Sequence, residues 1–259
     1  MVKGLYTAYT GMINEQNRMD IMTNNLANAS TVGYKKEGST SQSFDDVLTV
    51  KIKDQSVGMR NVQRLVVKNP GVKIGENYTD YSQGSFRITG NTYDLALSGE
   101  GFFAIEFTNK AGETDTKYTR AGQFTLNKDG YLVTEEGDYV LDTQNRRIRL
   151  NTLIDSSITD DGTIYQNGQA VAKIQVTDFE DYDYLEKYGE TYYQPIQGAK
   201  TIAAKAQVKS GYLEMANVQI VSEMVNLISI TRAYESNQKV VQTIDDTLDV
   251  AVNQIGRVQ

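Results

Sequence analysis

The 259-residue chain is 39% apolar and 23% charged and carries a formal net charge of −7, a composition that can bury a hydrophobic core and fits one or two domains. This acidic balance argues against a nucleic-acid surface, which needs clustered Lys and Arg side chains, and no basic helix suited to a membrane surface is present. Because the chain contains no Cys and no His, thiolate and imidazole metal sites, Ser-His and Cys-His catalysis and disulfide bonds are excluded.

The first predicted element is an amphipathic helix from about residue 3 to residue 28, which ends in an Asn-rich segment. Its apolar side chains recur every seven residues, the spacing of a helix that packs on other helices: Leu5, Met12, Met19 and Leu26. Asn28 and Gly33 suit the helix C-cap and a turn with positive φ. Asn24 and Asn25 are candidates for tying the helix end to a neighbouring subunit through their side-chain amides.

Residues 36–71 form a polar stretch of mixed composition in which the helical period is absent, with Pro70-Gly71 as a turn at its end. We interpret this stretch as a linker that becomes ordered only against neighbouring subunits. Residues 44–52 are a candidate for a short ordered piece within it.

Residues 72–211 are predicted to form a compact, antiparallel, all-β domain. Runs of β-branched and aromatic residues alternate with Gly, Asn and Asp turns. The candidate strands are residues 85–89, 95–97, 102–107, 123–126, 131–134, 139–141, 147–150, 163–165 and 171–176. Hairpin turns between several of these strands are predicted at Asp129-Gly130, Asp161-Gly162 and Asn167-Gly168.

Two stretches of this domain have the residue types of a chemical site, and both are better explained as structure. Gly99-Glu100-Gly101 begins like a dinucleotide fingerprint, but Ala104 stands in place of the third Gly and an aromatic strand follows where a helix should begin. Residues 178–186 contain five carboxylates, which offer the oxygen ligands that Ca²⁺ prefers. Since no Gly lies inside that segment to form a tight ligand loop, we expect a solvated acidic edge.

The C-terminal helix is predicted from residue 215 to residue 255, a length of about 60 Å at about 1.5 Å per residue. Its apolar side chains again fall seven residues apart: Ile220, Leu227, Tyr234, Val241, Leu248 and Ile255. A stripe of this length needs a partner helix from its own chain, from a neighbouring subunit or from both, whereas the simplest alternative packs it on the chain's own sheet. The chain is therefore either a helical hairpin with a large insert or a subunit that polymerises through its ends.

Three groups of motifs in this chain occur together in one known family. The N-terminal group is Thr10-Gly11-Met12, Gln16, Met19-Asp20-Ile21, Asn24-Asn25-Leu26-Ala27-Asn28 and Thr31-Val32-Gly33-Tyr34-Lys35. The C-terminal group is Gly211-Tyr212-Leu213-Glu214, Asn217-Val218, Glu223-Met224-Val225, Arg232-Ala233-Tyr234-Glu235-Ser236-Asn237 and Lys239. The middle group is Thr89-Gly90-Asn91, Asp94, Gly99-Glu100-Gly101-Phe102-Phe103, Tyr118-Thr119-Arg120 and Leu132-Val133-Thr134. With these motifs the chain resembles bacterial flagellar basal-body rod proteins, of the rod and hook family of axial proteins.

This resemblance implies an α+β fold in which the terminal helices, residues 1–35 with residues 212–259, pair as a coiled coil. That inner domain would line a hollow tube, with the all-β domain outside it. The implied function is a structural subunit of the flagellar basal-body rod, which polymerises into a torque-transmitting shaft that also serves as an export conduit. The seven-residue stripes of both helices, together with Asn24 and Asn25, are the predicted subunit interface.

The implied partners are further copies of the chain in a helical homopolymer, other flagellar rod and hook proteins and the flagellar type III export apparatus. The chain has no apolar run of about 18 residues and its N-terminus lacks the apolar segment and cleavage site of a signal peptide. We therefore expect no membrane insertion, and export without a cleaved signal to the basal body, in the periplasm or cell wall. No catalytic residue, cofactor, metal or nucleic acid is expected.

Two alternative functions are a binding module in the β domain and a cell-wall enzyme. A binding module for cell-wall glycan would have to stack sugars on tyrosines, of which there are 17, since the chain has no Trp. A peptidoglycan hydrolase would need two carboxylates in a cleft, whereas Asp and Glu occur here in turn and edge contexts. We expect the protein not to be an enzyme.

Overall fold

The computed structural model describes residues 2–43, 47–49, 66–68, 71–109 and 112–255. The chain divides into two compact units. The helical unit comprises Met1–Leu26, Glu37–Thr79 and Ile220–Gln259, and the β unit comprises Ala27–Lys36 and Asp80–Gln219. This division differs from the boundaries expected from the sequence, because residues 72–79 belong with the helices and residues 27–36 belong with the β strands.

Two long helices lie at the chain ends, as predicted. Helix α1 spans Val2–Ala27, and helix α2 spans Ile220–Val250 and continues as a π-helical turn over Ala251–Ile255. Helix α2 begins later than residue 215 because the backbone at that residue is hydrogen-bonded to a distant segment of the chain. The Met215 N–H donates to the Ser85 carbonyl at 2.9 Å.

The helical unit also contains two antiparallel strand pairs. Strand β1 (Glu37–Ser43) pairs with β4 (Val72–Thr79), and β2 (Val47–Thr49) pairs with β3 (Val66–Lys68). Strand β1 thus lies within the stretch interpreted as a linker, where a Ser- and Thr-rich sequence gave no strand pattern. Of the candidate ordered piece at residues 44–52, only residues 47–49 are described, and residues 50–65 lie outside the described residues. Ordering on assembly stays a prediction.

The β unit is built from short strands. In chain order they are β5 (Phe86–Ile88), β6 (Leu95–Ser98), β7 (Phe102–Thr108), β8 (Thr114–Thr119), β9 (Phe124–Leu126), β10 (Leu132–Thr134), β11 (Tyr139–Val140), β12 (Ser156–Ile158), β13 (Thr163–Gln166), β14 (Gln169–Lys173), β15 (Val176–Phe179), β16 (Leu185–Tyr188), β17 (Tyr192–Pro195), β18 (Thr201–Ala203), β19 (Gln207–Ser210) and β20 (Tyr212–Glu214). The main sheet runs in the order β16-β17-β8-β7-β11-β10-β9, with β15 joining β7 to β18. Strands β12-β13-β14 form a second sheet, and β5 pairs with β20 and β6 with β19. Every described ladder is antiparallel, as expected.

The three predicted hairpin turns are confirmed. Asp129-Gly130 joins β9 to β10, Asp161-Gly162 joins β12 to β13, and Asn167-Gly168 joins β13 to β14. Asn167 and Gly168 have φ angles of 50° and 74°, the left-handed backbone that a two-residue hairpin loop needs.

Other strand predictions are wrong in detail. Residues 147–150 form isolated bridges at Arg147 and Arg149 instead of a strand, and the strand predicted at residues 171–176 is divided between β14 and β15 because Ile174 bridges to Asp142. The sequence analysis missed β8, β12 and β16 to β20. Strands such as β8 have polar sequences with few consecutive apolar residues, so their pairing with neighbours, rather than their composition, makes them strands.

The core of the β unit lies on both faces of strand β7. Neighbouring residues of a strand point to opposite faces, and here Phe103 enters one apolar cluster while Phe102 enters another. The first cluster includes Phe124, Leu132 and Ile164, all fully buried. Strand β7 is therefore the central, doubly covered strand of the unit.

Candidate assembly surface

Helix α2 has a covered side and an exposed apolar side. The covered side chains recur at intervals of three and four residues, and all are buried or half-buried: Leu227, Ile230, Tyr234, Asn237, Val241 and Ile244. A second set with the same spacing stays open to solvent, and we name it the α2 apolar patch: Val221, Met224, Val225 and Ile228. Val221 is 77% exposed and Ile228 is 53% exposed. Exposed apolar faces are typical of surfaces that interact with other molecules.

Helix α1 carries a similar exposed face near its N-terminus. Tyr6, Tyr9 and Ile13 are three and four residues apart, so they lie on one side of the helix, and all three are exposed. We name these residues the α1 apolar patch. The helical unit therefore offers two different apolar surfaces.

The residues predicted for the interface fall into four groups. Those half-buried are Leu5, Met12, Met19, Leu26, Leu227, Tyr234 and Val241. Those exposed are Asn24, Ile220 and Leu248, whereas Asn25 is buried, and the side chain of Ile255 lies outside the described residues. The seven-residue stripe thus marks the covered side of α2 from Leu227 to Val241, and its members at both ends of the helix are exposed. The residues of the α2 apolar patch are not part of that stripe, although their own spacing of three and four residues could have identified a second face.

The amide of Asn25 is engaged within the chain. Its Nδ2 donates to the Glu37 carbonyl at 2.7 Å, and its Oδ1 accepts from the Glu37 N–H at 2.9 Å. The side-chain amide thus bonds both the N–H and the carbonyl of Glu37, as the backbone of a neighbouring strand would. It does so at the residue where β1 begins. Nearer the middle of α1, the buried Asn14 donates to the Ser41 hydroxyl at 3.0 Å. The polar side chains of α1 therefore anchor β1.

Two glycines show where α1 and α2 touch. A Cβ atom added at Gly11 would lie 3.0 Å from Nδ2 of Asn237, and one added at Gly4 would lie 3.6 Å from Cδ1 of Ile244. Moving seven residues along α1 thus moves the contact back by seven residues along α2, so the two helices run in opposite directions. The absence of a side chain at Gly11 lets the helices approach closely there.

A buried ion cluster in the β unit joins segments from the two ends of the chain. Glu214 accepts from Lys35 Nζ at 2.6 Å and from Arg120 Nη1 at 3.2 Å, and all three side chains are almost fully buried. Burial lowers the pKa of Lys35 from its ordinary value, and the charge and hydrogen bond of Glu214 oppose this shift. Removing one member of such a cluster leaves an unpaired buried charge, which is strongly destabilising.

Backbone bonds complete this junction. The Gly33 N–H donates to the Glu214 carbonyl at 2.8 Å, and the Lys36 N–H donates to Asn217 Oδ1 at 2.8 Å. Gly33 has a φ of 70°, which confirms the predicted turn with positive φ. Gly33 and Lys35 belong to the N-terminal motif group, and Glu214 and Asn217 belong to the C-terminal group. The contacts between these two groups were not predicted.

The two stretches with the residue types of a chemical site have structural roles. Gly99 and Gly101 have φ angles of 116° and 137° in the connection between β6 and β7. In the acidic segment, the buried Asp178 accepts from the Tyr182 hydroxyl at 2.8 Å, and Asp181 caps a short 3₁₀ turn. Burial and this bond to Asp178 raise the pKa of Tyr182.

Within the described residues, no group of three or more Asp, Glu, His or Cys side chains is placed to hold a metal ion. In that same part of the chain, no helix has the length and apolar character needed to cross a membrane.

Comparisons with known families match the two ends and the middle of the chain. Residues 5–35 match the family described as flagella basal body rod protein, residues 96–168 match the flagellar hook protein FlgE/F/G D1 domain, and residues 209–255 match the flagellar basal body rod FlgEFG protein C-terminal family. The flagellar basal-body rod protein FlgG of Bacillus subtilis is 33% identical, over 98% of this chain and 99% of its own. The chain belongs to the flagellar basal-body rod protein family. Further rod proteins that match are FlgG of Caulobacter vibrioides, 34% identical over 95% of this chain and 97% of its own, and FlgF of the same organism, 32% identical over the whole of both chains.

Family membership confirms the resemblance derived from the motifs, and it gives no support to the glycan-binding or hydrolase alternatives. In this rod protein the first matched segment ends at Lys35, and the last one contains Glu214. The ion pair between these two residues therefore joins the two terminal segments that match rod protein families.

Proposed function

We propose that this rod protein is a structural subunit of the flagellar basal-body rod that polymerises through its helical unit. The observation that carries the proposal is the α2 apolar patch, in which Val221, Met224, Val225 and Ile228 remain exposed on one face of a long helix. Burying apolar surface is favourable by about 25 cal/mol per Å². A neighbouring subunit would supply the cover.

The two apolar patches suit a growing filament rather than a closed dimer. The α1 apolar patch is built around Tyr6 and Tyr9, whereas the α2 apolar patch is aliphatic, so the surfaces are not copies of one another. Contacts between two different surfaces of identical subunits are heterologous and extend into helical filaments when they do not close. The predicted helical homopolymer needs contacts of this kind.

Within each subunit, α1 and α2 would pair as a coiled coil. The contacts of Gly4 with Ile244 and of Gly11 with Asn237 support this pairing, as do the seven-residue stripes of both helices. The paired helices would form the inner wall of a hollow shaft that transmits torque and conducts exported proteins. Copies of the chain, other rod and hook proteins and the type III export apparatus are its proposed partners, in the basal body outside the cytoplasmic membrane.

The test introduces a charge into the exposed patch without disturbing the fold. Ile228→Asp places a carboxylate on the α2 apolar patch, and Asn226→Asp places one on a different, exposed face of the same helix turn. Each variant replaces the chromosomal copy in the parent bacterium, and isolated basal bodies and swimming are examined. The purified monomers are compared by urea unfolding.

We expect both monomers to unfold within about 0.5 kcal/mol of the parent chain, because both positions are on the surface. Rods and swimming should be lost with Ile228→Asp and kept with Asn226→Asp, because only the first buries a charge on assembly. Complete rods built from the Ile228→Asp chain would overturn the proposal.

A further inference from the structure

The main sheet of the β unit has a cluster of cations near one end and a cluster of carboxylates near the other. Strand β16 ends the sheet on one side and β9 ends it on the other. An acidic segment, residues 180–186, leads into β16, whereas the turn from β9 to β10 carries Lys128 beside Arg149. A local group of cations and a local group of carboxylates therefore lie near opposite ends of one sheet. Three exposed carboxylates also lie near the cations: Asp129, Glu135 and Glu136.

The basic end contains a cleft. A cavity of about 450 Å³ is lined by Lys128, Gly130, Arg149, Leu150 and Val171, with Asp129 as the one carboxylate of its lining. The guanidinium of Arg149 lies 5.6 Å from the ring centre of Tyr131, and its Nε donates to the Asp129 carbonyl at 3.3 Å. Among the described residues neither Lys128 nor Arg149 forms an ion pair, so both charges are available to an acidic partner. We name this feature the cationic cleft.

The acidic segment is equally available. Asp181, Asp183 and Glu186 are exposed, and none of them forms an ion pair within the described part of the chain. Glu180 is the exception, since it pairs with Lys200 at 3.3 Å. The segment therefore presents three exposed carboxylates without an ion pair at the β16 end of the sheet, and the charge of Glu186 is felt by Lys117.

A simpler explanation of charges at the ends of a sheet is that they prevent the unpaired edge strand from pairing with strands of other molecules. Protection works best when both ends carry the same sign, because like charges repel. Here the acidic segment near β16 and the two cations beside the turn from β9 to β10 have opposite signs, so these two surfaces attract one another between copies. The arrangement fits a contact better than it fits protection.

We propose that the cationic cleft of one copy receives the acidic segment of a neighbouring copy's β unit. This inference rests on the proposed function, since it names a second contact within the same polymer. The contact joins two different surfaces and is heterologous, as a filament requires. Because exposed ion pairs are weak individually, this contact sets the orientation and the rate of association more than the affinity.

The test is charge reversal at each surface and at both surfaces together. The cleft variant is Lys128→Glu with Arg149→Glu, the segment variant is Asp183→Lys with Glu186→Lys, and the combined variant carries all four changes. Glu113→Lys with Asp115→Lys is the matched control, because it reverses two exposed carboxylates elsewhere in the β unit. Polymerisation of the purified full chain is followed by light scattering and electron microscopy at low and high salt, and folding by circular dichroism.

We expect the cleft and segment variants to polymerise about tenfold more slowly than the parent chain at low salt, because attraction between charged surfaces raises association rates. The combined variant should return to within about threefold of the parent, since the two reversed surfaces attract again. The control should behave as the parent chain, and the differences should shrink at high salt.

The outcomes separate this inference from the proposed function. Parent-like polymerisation of both single-surface variants, or failure of the combined variant to recover, would overturn the inference while leaving polymerisation through the helices intact. A parent chain that forms no polymer, together with normal rods from Ile228→Asp in cells, would overturn the proposed function itself.

Discussion

The two units of this rod protein differ in how far their apolar side chains are buried. In the β unit, Phe103, Phe124 and Leu132 are fully buried in one cluster. In the helical unit, Val225 and Ile228 remain exposed although they lie in an ordered helix. The β unit thus completes its own core, whereas the helical unit leaves part of its apolar surface exposed. In the proposed polymer, a neighbouring subunit would cover that surface.

Truncating one residue from each unit is the strongest test of that comparison. Phe103→Ala should lower the free energy of unfolding of the β unit by about 3–5 kcal/mol, because it leaves a cavity in a closed core. Val225→Ala should change the free energy of unfolding of the helical unit by less than about 0.5 kcal/mol, since the side chain is exposed. Urea unfolding of the purified chain, followed by near-ultraviolet circular dichroism, measures both. Similar losses for the two variants would mean that the contrast in burial does not reflect stability.

The buried junction gives the next largest expected effect. Glu214→Ala should destabilise the β unit by about 3–4 kcal/mol, because it leaves Lys35 and Arg120 buried without their shared carboxylate. Burial already lowers the pKa of Lys35, so this amine can lose its proton once its partner is gone, but the buried guanidinium of Arg120 stays charged. The same substitution at the exposed Glu186 is the control and should leave thermal unfolding unchanged. An equal shift in melting temperature for the two variants would contradict the role given to the cluster.

The surface pair between Arg147 and Glu106 should give the smallest effect. Arg147 Nη2 lies 2.6 Å from Glu106, and this hydrogen bond lowers the pKa of the carboxyl group below its ordinary value. A carboxyl whose pKa is lower in the folded chain adds stability above its unfolded pKa of about 4.3, and that stability is lost as the pH falls through the folded pKa.

Glu106→Gln should therefore lower the free energy of unfolding by less than about 1 kcal/mol at pH 7, and the difference from the parent chain should vanish below the folded pKa. Unfolding measured at pH 7 and pH 3 tests this, with Glu113→Gln as the control. A difference that stays constant with pH would show that the pair contributes through packing alone.

Much of the local structure follows from residues close together in the sequence. The seven-residue recurrence from Leu227 to Tyr234 and Val241 is enough to predict a long helix with a covered side, and Asn167-Gly168 is enough to predict a tight hairpin. In both cases the deciding interactions act within a turn of helix or a two-residue loop. The motifs near each terminus are likewise short, continuous stretches of residues, and they are enough to indicate the family.

The tertiary structure decided what lies far apart in the sequence. Lys35 and Glu214 are 179 positions apart, and only folding shows that they form one buried ion cluster. Strand β1 is a strand because β4 and the amide of Asn25 satisfy its backbone, not because its Ser and Thr residues favour one. Likewise, the sequence marks both Leu227 and Ile228 as apolar, but only packing decides that the first is half covered while the second stays exposed. Local patterns determine helices and turns, since their energies are local, whereas burial depends on which distant residues arrive as neighbours.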